Sequence, residues 1–325
     1  MLTVSYSEIK RWRFCRQSHY YNYVEKIVPR AKPKPLKIGN IIHKLIEVWS
    51  RDGNYSSILI QVQAEYDSMF SEEQEDYGNI PKLVEQIFHG YIDKYGGKER
   101  KKYQLIEQVM GPIPLTSKTQ LKFKVDKVMD MEIGNAVCET KTSKRIPEEN
   151  MRIWDIQTLL YAWGLKELGY DINAVLWDYV RTKVPTIPHI LKNGSLSQNK
   201  DIDTNYDTYY KTIIKECGKE HLKEYKEILE RLKWRPDQFY KRIVQSISNS
   251  MMKSVVRDAK ITSLEILNMS RLPVKSISGF TCPMCFYSNL CYADTRNLDG
   301  DFIRKKEFMN KEEEIEYGEE TTEEN

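Results

Sequence analysis

The sequence predicts an α/β fold, a mixed β-sheet flanked by helices, on three observations. Two segments of alternating apolar and polar residues are joined by a turn signal, a helical stretch follows, and a further apolar strand comes after it. The first two make an antiparallel hairpin. Strand, helix and strand in that order add a βαβ crossover, which makes the sheet mixed.

Ser5 to Val24 opens on a serine suited to N-capping and mixes aromatic with basic residues at helical spacing, which predicts an N-terminal helix. A Pro- and Lys-rich linker, Pro29 to Lys37, leads to a second helix. There Ile42, Leu45, Ile46 and Trp49 form one stripe, with His43 and Glu47 sharing a face at its flank. In the first strand Leu121, Phe123 and Val125 point one way and Lys122, Lys124 and Asp126 the other, with the strand ending near Asp126. Gly134-Asn135 marks a turn, and Ala136 to Thr142 resumes as a strand with Val137, Glu139 and Lys141 on one face. Asn150 to Leu168 is helical, with Ile153, Ile156, Leu160 and Trp163 as its stripe and Gln157 and Tyr161 on an adjacent face. Ala174 to Val180 is the third strand, and Tyr206 to Met269 is mainly helical, in pieces broken near Pro236. Residues 1–300 are expected to form one domain with a helical insertion over 200–272, and residues 301–325 an acidic, disordered tail.

Composition narrows the function. With 40% hydrophobic and 11% aromatic residues, the 325-residue chain has bulk for a sizeable core, which excludes disorder throughout. No stretch approaches the roughly 20 apolar residues that span a bilayer. Met1 to Lys10 lacks the apolar region of a secretory signal, so a cytoplasmic protein without a membrane partner is expected. The net charge of +3 conceals an asymmetry: Lys305 to Asn325 holds three Lys against nine Glu, leaving +9 on residues 1–304. A basic body suits a polyanion, nucleic acid first, although a solvated face is the plainer account of any one cluster.

A turn centred near Glu132 and Ile133 pairs residues whose numbers sum to about 265, which sets Asp126 opposite Glu139. Directly opposed Cβ atoms lie about 5 Å apart, so the hairpin brings together two carboxylates that repel unless a cation separates them. Lys141 falls on the same side of the strand as Glu139, about 7 Å further on. Two carboxylates and a backbone carbonyl are hard oxygen ligands suited to Mg or Mn. Lys141 is then placed to orient or deprotonate a water, or to neutralise charge on a phosphate. Glu-x-Lys alone is common; Asp126 in register, with His43 and Gln157 on flanking helices, makes it informative.

Cys282-Pro-Met-Cys285-x5-Cys291 supplies three thiolates within ten residues, and Cys15 is the candidate fourth ligand of a tetrahedral metal or cubane site. Spacing leaves zinc and an iron-sulfur cluster both open. Cys138 and Cys217 read as unligated.

Together these residues resemble the PD-(D/E)XK nuclease superfamily, in particular its RecB/AddB-like branch with an iron-sulfur cluster. Gly39-x3-His43-x3-Glu47 resembles the family's histidine helix, Asp126 its hairpin acid, Glu139-x-Lys141 its signature and Gln157-x3-Tyr161 its helix motif. Lys124 departs from the Gly that many relatives carry two residues before the acid. The resemblance implies a restriction-endonuclease-like core with metal ligands His43, Asp126, Glu139 and the carbonyl of Thr140. It makes Lys141 catalytic, with Gln157 and Tyr161 positioning it or the DNA backbone. It also implies a 4Fe-4S cluster on Cys15, Cys282, Cys285 and Cys291, with zinc the lesser option, stapling the two ends of the domain.

The N-terminal segment interleaves Arg11, Arg13 and Arg16 with Trp12, Phe14 and Tyr20, a mixture suited to stacking bases and contacting phosphates. Arg181-Thr-Lys183-Val-Pro-Thr-Ile-Pro188 resembles a segment of phage-encoded nucleases, with Arg181 and Lys183 as DNA contacts. The function expected is a Mg- or Mn-dependent deoxyribonuclease, an exonuclease on linear or single-stranded DNA in replication, recombination or repair, with a helicase or recombination partner. The alternatives are a non-catalytic DNA-binding or scaffold subunit and a zinc-stapled binding module.

Overall fold

The computed structural model describes residues 1–29, 33–96, 99–147, 155–269, 273–293 and 302–304. In chain order they form β1 (Leu2–Val4), α1 (Tyr6–Phe14), α2 (Arg16–His19) running into a π-helical turn (Tyr20–Val24), β2 (Ile27–Pro29) and α3 (Lys34–Arg51). Next come α4 (Ser56–Asp67), α5 (Ser71–Tyr77), α6 (Ile80–Tyr95), β3 (Tyr103–Pro114), β4 (Thr119–Met131) and β5 (Gly134–Ser143). Then follow α7 (Ile156–Glu167), β6 (Ile172–Arg181), α8 (Tyr206–Glu216), α9 (Lys226–Lys233), β7 (Tyr240–Ser246), α10 (Asn249–Leu267), α11 (Ser288–Ala293) and β8 (Phe302–Arg304).

β1, β4, β5, β6 and β7 lie side by side, with β3 on the other edge of β4, and β2 pairs separately with β8. β4 and β5 are antiparallel, β5 and β6 parallel across the α7 crossover, and β7 runs antiparallel beside β6. Because β6 is covered on both faces, its sequence is a continuous buried run rather than an alternation. On one face α7, α10 and α1 bury a core that includes Phe123, Val137, Leu160, Trp177 and Tyr179. On the other, α3 and α6 bury Ile42, Leu45, Ile46, Trp49, Phe88 and Tyr91 against Val180 and Tyr240. Each fully buried side chain of this size contributes roughly 1.5–3 kcal/mol, so both helical layers hold the strands that carry the acidic residues.

The α/β class, the hairpin, the crossover and the α3 stripe are as expected; several boundaries are not. The strand read as ending near Asp126 continues to Met131, because past Asp126 both faces are covered and alternation disappears. Ser5 does cap α1, accepting from the Glu8 amide, but the N-terminal helix breaks at Cys15, where the backbone is extended. α3 begins at Lys34, inside the expected linker, because Pro35 is tolerated in the first helical turn. β7 interrupts the stretch read as helical and α10 packs on α7, so much of the expected insertion belongs to the main layers. Asn150 to Trp154, Ile153 included, and most of the expected tail lie outside the described residues, while Phe302–Arg304 of that tail form β8.

The α3/α6 face holds a buried ionic knot. Asp178 of β6, 1% exposed, accepts from Tyr91 at 2.5 Å and Arg242 at 3.0 Å and lies 3.6 Å from the Lys127 ammonium. Burial alone pushes the Asp178 carboxyl up, but Arg242, Lys127 and Tyr91 outweigh it and hold it below the ordinary carboxylate range. Removing one member of such a knot strands buried charge, a cost of about 3–5 kcal/mol. Asp178→Ala is therefore expected to lower the unfolding free energy by about that much in urea titrations at neutral pH, and an unchanged midpoint would remove the knot from the account of stability.

Candidate active site and cysteine cavity

β4 and β5 pair from Met131 and Gly134 back to Lys127 and Cys138, partners whose numbers sum to 265, the register read from the sequence. Beyond Cys138, β5 stays with β6 and leaves β4. Since β3 occupies the other edge of β4, β1 at Thr119–Leu121 shares the edge that β5 has left, and between them the edge is open. Asp126 stands at the fork, where its Oδ2 accepts the Thr140 N–H at 2.9 Å.

Strand geometry inverts at the same place. Phe123 stacks on Tyr161 of α7, whereas Lys127 lies against Asp178 on the α3/α6 face. In a regular strand, residues four apart share a face. Across the ladder on β3, Glu107 takes φ +51°, a left-handed conformation uncommon away from glycine. Irregularities of this kind re-aim side chains, and Asp126 is turned toward α3, with its Oδ2 3.8 Å from His43 Nδ1.

Glu139 and Lys141 project to the α7 side, each 4% exposed. Lys141 Nζ donates to Glu139 Oε1 at 3.0 Å and to Gln157 Oε1 at 2.9 Å, and Gln157 Nε2 donates to the same Glu139 oxygen at 2.7 Å. Gln157 is delivered by the first turn of α7. Asp155 caps that turn, accepting from the Thr158 amide and also from the Trp177 indole. The closed triangle occupies Oε1 and leaves Glu139 Oε2 buried with no hydrogen-bond partner among the described residues. Burial, and then the charge of Asp126, push the Glu139 carboxyl well above its usual range, against the pull of Lys141.

Sequence reasoning missed Glu107. Its side chain, 12% exposed, pairs with Lys124 at 2.7 Å, and desolvation with the charge of Asp126 raises its carboxyl to about 7. No alternation marks β3, whose residues are irregularly buried, and nothing in the sequence announces a left-handed glutamate.

Several expected contacts find other places. Tyr161 is 1% exposed between Phe123 and Tyr6, so burial closes it to a DNA backbone. Arg11 is 2% exposed and donates to Ser18, and Trp12 donates its indole N–H to Glu265, so neither presents a binding face. Arg13 is exposed but donates to Thr262. Arg181 makes a bidentate pair with Asp203, which Lys183 also approaches at 2.7 Å. Glu47 is paired with Lys44 and Arg51.

Cys15, Cys282, Cys285 and Cys291 line one cavity of about 180 Å³, together with Ser18, Tyr21 and Lys275. The break between α1 and α2 puts Cys15 there, and Tyr287 anchors the opposite wall by donating to Asn22 and to the Ile27 carbonyl. The Ser278 amide donates to Cys282 Sγ at 3.4 Å. Burial pushes the Cys285 and Cys291 thiols up. Among the described residues, no three His, Cys, Asp or Glu side chains are gathered at the spacing of a single bound ion, here or at the fork.

The family model of the PD-(D/E)XK nuclease superfamily matches residues 3–292. The chain belongs to the PD-(D/E)XK nuclease superfamily. It is thereby placed among hydrolytic, metal-dependent nucleases. No curated protein matches the chain. No helix among the described residues is long and apolar enough to cross a membrane.

The raised Glu107 carboxyl sets a pH test. The unfolded chain releases this proton near pH 4.5 and the folded chain near 7, so the group costs stability increasingly between those values and fully above them. Glu107→Gln is expected to unfold at higher urea than wild type at pH 8, with the gap closing toward pH 4.5. A gap that is constant across this range would contradict the burial of a titrating Glu107.

Proposed function

We propose that the chain is a Mg- or Mn-dependent deoxyribonuclease that uses the fork between β4 and β5. The supporting observation is Glu139: one carboxylate oxygen is committed to Lys141 and Gln157, and the other is buried, without a partner among the described residues, beside the carboxylate of Asp126. A buried acceptor left unmatched is costly, and a hard divalent cation matches two carboxylates, a carbonyl and an imidazole. His43, Asp126, Glu139 and the Thr140 carbonyl would hold it. When bound, the cation supplies Lewis-acid polarisation of the phosphodiester and a lowered pKa for water. Lys141, fixed by Glu139 and Gln157, orients the attacking water and offsets charge developing on the phosphate. Gln157 keeps the ammonium from swinging away, and the Asp126 bond to the Thr140 amide keeps the two strands at fixed separation.

The exonuclease mode, linear or single-stranded DNA as substrate, a place in replication, recombination or repair, and a helicase or recombination partner follow the resemblance to the RecB/AddB-like branch. Exposed Arg13 and half-exposed Lys183 remain in the proposed DNA path. The cysteine cavity fits a 4Fe-4S cluster better than zinc. Its volume far exceeds the roughly 10–15 Å³ that a single water-sized group needs, it is lined by four soft sulfur donors, and amide and hydroxyl donors face the sulfurs. Buried thiols that resist ionisation alone become thiolates when a metal supplies the charge.

Anaerobically purified wild type and Glu139→Ala are to be incubated with end-labelled linear single- and double-stranded DNA, with Mn, Mg or EDTA. Metal-dependent cleavage by wild type alone is expected; no cleavage by wild type with DNA still bound would transfer the reading to a non-catalytic binding subunit. Lys141→Ala is expected to abolish cleavage, about 10²-fold or more, while keeping fold and DNA binding. Cys282→Ser is expected to bleach a brown protein, and a colourless wild type would end the cluster assignment.

A further inference from the structure

Lys124 stands where the resemblance implies a glycine, and the proposed mechanism leaves it without a role. It sits on β4 two residues before Asp126, and its ammonium pairs with Glu107 Oε2 at 2.7 Å. Alternation from Phe123 and Val125 puts Lys124 and Asp126 on the α3 side. Leu121, Phe123 and Val125 face the α7 core, whereas Asp126 faces His43 and Glu107 feels the charges of Asp126 and Glu47. The lysine side chain is 27% exposed and its partner only 12%, so the cation lies nearer the surface on the α3 side of β4 and the carboxylate beneath it. A surface lysine would gain little from such a pair. Here the largely covered carboxylate instead fixes the cation of a residue whose backbone lies about 7 Å along the strand from that of Asp126, close to the spacing of adjacent phosphates on a nucleic-acid strand.

We propose that Lys124 contacts the phosphate next to the scissile one, and that Glu107 is a positioning residue that holds the lysine on the α3 side of β4, beside Asp126. This rests on the nuclease reading and adds a substrate contact to it. When the strand arrives, the ammonium exchanges a carboxylate partner for a phosphate oxygen. The site then binds the backbone of its substrate through one cation, independently of base identity.

The test uses the full chain in EDTA with a fluorescein-labelled single-stranded oligonucleotide, binding being measured from about 50 to 200 mM KCl. Each lost phosphate contact flattens the plot of log Kobs against log salt by about 0.7 for single strands. Lys124→Gln is expected to raise Kd several-fold and flatten the slope by that amount, and Lys124→Arg to retain both. Because Lys124→Gln leaves a buried carboxylate unpaired and can fail to fold, the double variant E107Q/K124Q carries the same expectation without that burden. Glu107→Gln alone is expected to keep the wild-type slope.

A double variant with wild-type affinity and slope would show that Lys124 only neutralises Glu107, and the inference would fall. The same measurement separates the two readings. If wild type cleaves DNA with metal yet every variant keeps its slope, only this inference fails. If wild type neither binds nor cleaves, the nuclease reading fails and this one falls with it.

Discussion

The structure turns on the point where β4 and β5 stop pairing. Two antiparallel strands kept in register would have satisfied each other's backbone groups and left no room for chemistry. Instead the β4–β5 ladder ends at Lys127 and Cys138, while β5 stays paired with β6 on its other edge. A side-chain bond from the Thr140 amide to Asp126 replaces the missing ladder bond, so the strands part by a fixed amount rather than fraying. The left-handed Glu107 and the inverted alternation of β4 are the backbone cost of that parting. They are absorbed by cores on both faces of the sheet that do not depend on the fork.

That arrangement divides the polar groups between two layers. His43, Glu107 and Lys124 come from the α3 side, and Glu139, Lys141 and Gln157 from the α7 side, with Asp126 at the seam. The two carboxylates raised above their ordinary range lie one on each side of it. Burial that would be a defect in a structural carboxylate is here a standing demand for positive charge.

Much of this was legible in the chain. The register of β4 against β5 up to Lys127 and Cys138 followed from a two-residue turn and a period of two, because hairpin geometry is local and fixes pairing by counting. The expected facing pair of Asp126 and Glu139 did not form, because the strands part just before it and Asp126 bonds the Thr140 amide instead. The helix carrying Gln157 and the stripe on α3 followed from a period of 3.6. What escaped was set by tertiary contact. β3 and β7 lack clean alternation, α1 breaks at a cysteine with no Gly or Pro to signal it, and arginines that looked like phosphate ligands proved to be internal struts. Glu107 belongs with these, since its neighbour Asp126 is set by a fold and not by sequence spacing.

The cysteine cavity has a consequence for biosynthesis. Its walls come from residues 14–21 and 275–291, segments at least 254 positions apart, so the near wall waits in the nascent chain while the whole sheet is made. Domains fold from the N-terminus as they emerge, yet this cavity exists only once the far segment has arrived. A chain that terminates early after completing β7 would carry both carboxylates of the fork but no closed cavity. The cavity therefore closes after the sheet, on a contact between two segments that the rest of the fold must first bring together.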